Sequence, residues 1–190
     1  MDVGGGGAII CGLPNLRIYL RTETRSLHED VDGAFAPLDL SRREDYVRFL
    51  QAHHAALAPL ERARAAADWP SGLPAPLDAA PLVAADLADL GEEPGTAIEL
   101  APGFEPVGVT YVLAGSRMGN KLLRQQVHEA TDGRPTRYVD SEPLDSFGRD
   151  YLVALKSMDA GRDAGQVLAG ARCAFTMFKR ASGSMNMGSQ

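Results

Sequence analysis

Of the four histidines in this 190-residue chain, His28 has the neighbours that could give it chemistry. It follows Arg21 by seven residues, in Arg21-Thr22-Glu23-Thr24-Arg25-Ser26-Leu27-His28. On one α-helix seven residues make nearly two turns, so the imidazole and the guanidinium share a face about 10 Å apart. A neutral imidazole is a good iron ligand, and a guanidinium pairs with carboxylates. The span suits a haem whose iron sits on His28 and whose propionates reach Arg21. The plain alternative is a helical histidine that is half-exposed or satisfied within the core, and the spacing permits either.

A second constellation is Gly115-Ser116-Arg117-Met118-Gly119, inside a helical pattern. Glycines four apart lie about 40° apart on one face. Each costs about 0.8–1 kcal/mol relative to alanine in a helix interior. Close packing of another helix would explain them. So would something flat and bulky lying against bare backbone, or a kink. The basic residues Arg117, Lys121 and Arg124 beside them read as an ordinary solvated face.

Other chemistries fall away. His28-Glu29-Asp30-Val31-Asp32 approaches the HExxH zinc motif, but Asp32 stands where the second histidine belongs. None of His28, His53, His54 and His128 has a glutamate three residues before it, so the Glu-x-x-His pairs of di-iron bundles are missing. His53 and His54 point about 100° apart on a helix, one to packing and one to solvent. Cys11 and Cys173 form no CxxC motif, and a reducing cytoplasm is the expected compartment. No Walker A, GxGxxG or GxSxG motif occurs. A net charge of −6 argues against nucleic-acid binding. No apolar run approaches the ~20 residues that cross a bilayer.

The elements that must position these residues are helical. Residues 1–13 read as a disordered tail; the Gly-rich stretch 4–12 lacks the basic region of a signal peptide. Asn15 is a candidate N-cap for a helix running to Gly33. Ser41-Arg42-Arg43-Glu44 has the form of a capping box opening a helix that reaches about Ala67. Residues 68–81 carry four prolines and read as an irregular connection. Further helices are expected over 81–90, 107–128, 146–158 and 163–181, with a polar tail from 182. Alternation of the β type is almost absent. The reading is all-α, one domain over 14–181, with about seven helices.

Three stretches resemble the bacterial haem oxygenase family, of the kind found alongside bacteriophytochromes. The first is Leu20-Arg21-Thr22-Glu23-Thr24-Arg25-Ser26-Leu27-His28-Glu29-Asp30-Val31-Asp32, similar to that family's proximal helix. The second is Asp45-Tyr46-Val47-Arg48-Phe49-Leu50-Gln51-Ala52-His53. The third is Gly108-Val109-Thr110-Tyr111-Val112-Leu113-Ala114-Gly115-Ser116-Arg117-Met118-Gly119, similar to its distal helix. The last helix, with Phe175 and Phe178, fits as well. Ala114 stands where many bacterial relatives carry Glu, and Asn120 where Gly or Ala is common.

The resemblance implies a haem-oxygenase-like helical bundle that binds haem as both substrate and cofactor. It implies His28 as the axial ligand of the haem iron, with Arg21, Asn120 and Phe175 as further haem contacts. It implies Gly115, Ser116 and Gly119 on the distal face, where O2 reacts and ordered water supplies protons. The products would be biliverdin, iron and carbon monoxide. Electrons would come from ferredoxin or another reductase, and a bacteriophytochrome could receive the biliverdin. The competing expectations are a haem-binding sensor or carrier without degradation activity, and an interaction module in which the glycines only pack.

Overall fold

Asn15 opens the first helix as its sequence predicts, its side chain accepting the Ile18 N–H at 3.0 Å. The computed structural model describes residues 14–119 and 121–184. The expected tail over 1–13, the end of the expected tail after 184, and Asn120 lie outside the described residues.

The helix expected from Leu16 to Gly33 is two helices, α1 (Leu16–Glu23) and α2 (Arg25–Phe35). The break is Thr24, a buried residue whose hydroxyl donates to the Leu20 carbonyl at 2.7 Å. Such back-bonding to the previous turn competes with regular helix geometry and bends it. Gly33 does not stop the chain; α2 continues to Phe35. Nothing on α2 is fully buried, and Leu27, Val31 and Phe35 are only partly covered.

α3 (Arg43–Ala65) is the central helix, burying Tyr46, Phe49, Leu50, Leu57 and Leu60. The expected capping box does not form. Ser41 gives its hydroxyl to the Asp39 carboxylate at 2.6 Å, and Arg42 takes the N-cap position without a side-chain cap. α4 (Ala80–Asp89) is capped from a distance: the Glu61 carboxylate accepts the N–H groups of Ala79 and Ala80 at 2.7 and 3.0 Å. Gly91, at φ +72°, turns the chain after it.

α5 (Pro106–Met118) and α6 (Lys121–Glu129) replace the single helix expected over 107–128. α7 (Glu142–Ala154) starts at a Ser141 cap, four residues before the expected start, and runs into a 3-10 turn at Leu155–Ser157. α8 (Ala164–Ser184) closes the fold. The described residues hold eight α-helices, one more than expected, and no strand; Asn15 and Asp159 form one isolated bridge. No helix among them is long and apolar enough to cross a membrane.

α5 packs on α8 and α7, α3 on α4 and α8, and α2 on α8. Two glycines make the α5–α8 approach possible. A Cβ on Gly108 would lie 1.8 Å from the Val167 carbonyl oxygen, and one on Gly170 would lie 2.4 Å from that of Glu105. Close packing therefore rests on Gly108 and Gly170, outside the pair that the sequence singles out.

Candidate functional site

His28 lies on the second turn of α2 and is exposed, with 59% of its side chain accessible. His28 is not satisfied within the core: beyond the break at Thr24, α2 buries no residue fully and lies on the rim of the bundle. Asp32, one turn on, has a carboxylate oxygen 2.9 Å from Nδ1. In the tautomer protonated on Nδ1 the ring keeps the Nε2 lone pair for a metal, and a carboxylate at this position favours that tautomer. Phe175 of α8 meets the imidazole edge-on, the ring centroids 6.0 Å apart. Lys179, one turn further along α8, binds Asp30 at 2.6 Å.

Arg21 is exposed on α1, on the other side of the Thr24 break from His28. The single straight helix assumed for their shared face is therefore absent. Tyr111 of α5 lies near Thr24, Arg17 and Arg21. Its hydroxyl is pushed above the ordinary range by burial, moderated by a hydrogen bond with Thr24 and by the charges of Arg17 and Arg21. The junction of α1 and α2 thus sits against α5 one turn before Gly115. Thr24, Tyr111 and Asp32 carry no motif; the only available signal was the four-residue spacing of Tyr111 from Gly115 and of Asp32 from His28.

At the end of α5, a Cβ on Gly115 or on Gly119 would meet nothing within 4 Å. Gly115 is half-buried and Gly119, the C-cap, is exposed. Close helix packing, one explanation for this pair, does not occur there. Ser116 is exposed and donates its hydroxyl to the Leu113 carbonyl at 2.8 Å. It also borders a cavity of about 20 Å³ shared with Glu61, Arg117 and Tyr138.

The opposite side of the same turn is closed. Arg117 is buried, donating to Asp145 at 2.9 Å and to the Val139 carbonyl at 3.1 Å, with its guanidinium 5.1 Å from the centre of the Tyr138 ring. Arg124 of α6 binds the other oxygen of Asp145 and the Val139 carbonyl. The solvated face expected for Arg117 and Arg124 is corrected: long side chains next to a helix break have found a buried carboxylate on α7. The side chain of Lys121 lies outside the described residues.

His53 is buried beneath Phe49, Tyr138 and Phe178, and burial pushes its pKa down to about 4. His54 is half-buried and bonds the Gly95 carbonyl at 3.1 Å. Burial likewise pushes Glu61 up to about 7, against the two backbone N–H groups that lower it. No group of three or more His, Cys, Asp and Glu side chains suited to a bare metal ion occurs among the described residues.

These features fit a haem. The imidazole of His28 offers one oriented nitrogen, α5 offers backbone uncovered by side chains, and Arg17 and Arg21 offer positive charge for carboxylates. The fold agrees. The chain has the all-α fold of a bacterial haem oxygenase: it superposes on the NO- and CO-bound haem oxygenase from Neisseria meningitidis with a TM-score of 0.73, over 93% of this chain and 94% of that one, at 19% sequence identity. No protein-family model matches the chain, and no curated protein matches it.

Proposed function

We propose that this chain is a haem oxygenase, binding haem as substrate and cofactor and cleaving it with O2 and external electrons to biliverdin, iron and carbon monoxide. The observation that carries the reading is His28. Its imidazole is exposed, with the Asp32 carboxylate 2.9 Å from Nδ1, an arrangement suited to Nε2 as the iron ligand. Bound there, haem would supply the redox-active iron and the ring that is cleaved. Phe175 buttresses the imidazole from α8, and Arg21 pairs with the propionates. Gly115 and Gly119 let the distal backbone approach the other haem face. Ser116, between them, donates its hydroxyl to the Leu113 carbonyl, and ordered water held at this turn supplies protons. Asn120 stands as a further haem contact on the family resemblance alone. A ferredoxin or another reductase supplies the electrons, in the cytoplasm, and the bacteriophytochrome-associated type of the family is the subtype the sequence motifs favour, with a bacteriophytochrome as acceptor of biliverdin.

Ala114 and Asn120, which depart from the family's pattern, favour a second reading, a haem-binding sensor or carrier without cleavage. The test has two stages. Hemin added to the protein produces a Soret band. With ascorbate or a ferredoxin system, oxygen and catalase, that band then decays while red biliverdin absorption rises. A stable Soret band under these conditions overturns cleavage and leaves the carrier; no Soret band overturns both.

A further inference from the structure

The last turn of α5 carries two glycines within five residues and ends at a helix break, so by propensity it should fray. Its open face has no side chains to hold it. What holds it is on the other face. Arg117 reaches Asp145 on the first turn of α7, and Arg124, from the helix beyond the break, reaches the second oxygen of the same carboxylate. Both guanidiniums also donate to the Val139 carbonyl. Asp145 is mostly buried, with 16% of its side chain accessible, and Arg117 has 4%. A carboxylate accepting from two guanidiniums fixes direction as well as distance, because each oxygen is committed to a different helix. Asp140 stands 3.9 Å from Arg124 and adds to the negative side of the cluster.

We infer that Asp145 is the positioning residue for the proposed ligand face: it ties the last turn of α5 to α6 and so sets where the backbone of Gly115 and Gly119 lies. The ligand in question is the haem proposed above, and the inference rests on that reading for its effect on binding. The geometry of the tie stands without it. Neither partner touches the open face; the effect is transmitted through the rigid turn that Arg117 and Ser116 share.

The test measures amide exchange of the ligand-free protein, and hemin affinity and Soret shape of the loaded one, in wild type and two variants. Asp145→Asn keeps the shape and weakens both ion pairs. The double variant Arg117→Met with Asp145→Leu removes the buried Arg117–Asp145 pair as a unit, which commonly preserves or restores stability, and leaves Arg124 with the Val139 carbonyl and Asp140. In both, exchange over residues 113–119 rises about tenfold or more, while α3 and the middle of α8 stay near wild type. Hemin affinity falls about tenfold, near 1.4 kcal/mol, with an altered Soret shape, and this persists in the double variant even where its melting temperature recovers. Unchanged exchange at 113–119 overturns the tie. A uniform rise across all helices, or hemin binding that recovers together with stability, reduces Asp145 to a general stabiliser and overturns the positioning role. If wild type itself takes up no hemin, the haem reading falls, and the exchange measurement alone still decides the tie.

Discussion

The imidazole of His28 and the ring of Phe175 meet edge-on, their centroids 6.0 Å apart and their planes at 62°. With Asp32 on Nδ1, this fixes the histidine from two sides, one polar and one aromatic. An edge-on aromatic pair is worth about 0.5–1.5 kcal/mol. Phe175→Ala should weaken hemin binding by about two- to tenfold and leave the Soret position close to wild type. His28→Ala should abolish the axial bond, changing the spin-state bands, with partial recovery on adding imidazole. A wild-type spectrum for His28→Ala would move the ligand elsewhere.

The three glycines of α5 and its C-cap, Gly108, Gly115 and Gly119, should divide sharply. Gly115→Ala meets no atom within 4 Å and should raise stability, by up to about 1 kcal/mol from helix propensity. Gly119→Leu should leave melting nearly unchanged and block hemin uptake. Gly108→Ala, with its Cβ 1.8 Å from the Val167 carbonyl oxygen, should cost about 3 kcal/mol or more. Thermal melts of the three variants with a hemin titration on the same samples check this. Strong destabilisation by Gly119→Leu would return that glycine to packing.

Two buried groups titrate against each other. Glu61, raised from its ordinary 4.5 to about 7, binds more protons folded than unfolded between those values, so its contribution is full below pH 4.5 and lost as pH rises through 7. His53, lowered from 6.5 to about 4, does the opposite: its contribution is full above 6.5 and lost as pH falls towards 4. At about 1.4 kcal/mol per unit, each is worth about 3 kcal/mol, and from pH 4.5 to 6.5 they nearly cancel. Glu61→Gln should unmask His53, so that the difference in stability between variant and wild type grows in the variant's favour from pH 4.5 to 7. Chemical denaturation at four pH values measures it; a difference that is flat with pH would contradict the assignment.

Arg21 is exposed, so its removal should not disturb the fold. Arg21→Glu should leave the melting temperature within a degree or two of wild type and weaken hemin binding several-fold at low salt. The deficit should shrink as ionic strength rises. Equal binding at low salt would remove Arg21 from the site.

The helical class, the Asn15 cap and the stop at Gly91 were legible in the sequence because each is a local rule acting on adjacent residues. The break at Thr24 was not, since a threonine in a helix back-bonds or points outward according to what covers it, and here Tyr111 covers it. The Ser41 capping box failed because the helix starts one residue later, with Arg42 at the N-cap, and the Ser41 hydroxyl is turned back to Asp39. The pair Gly115 and Gly119 was found by spacing, but spacing could not tell an open face from a packed one. Gly108 and Gly170, which do the packing, stand far apart in sequence and share no pattern. Arg117 and Arg124 read as surface because their partner, Asp145, lies 28 and 21 residues away.

One end of α5 is seated in the bundle more firmly than a helix of its composition requires. Glu105 caps it, Tyr151 donates to the Val107 carbonyl at 2.8 Å, and Gly108 rests directly on the backbone of α8. In mechanical terms the helix is a beam held near both ends, at Gly108 by the backbone of α8 and at Arg117 by Asp145 of α7. Accommodation of a guest against Gly115 must then come as bending of the span between those two anchors, and the stiffness of that short span sets how thick a guest can be.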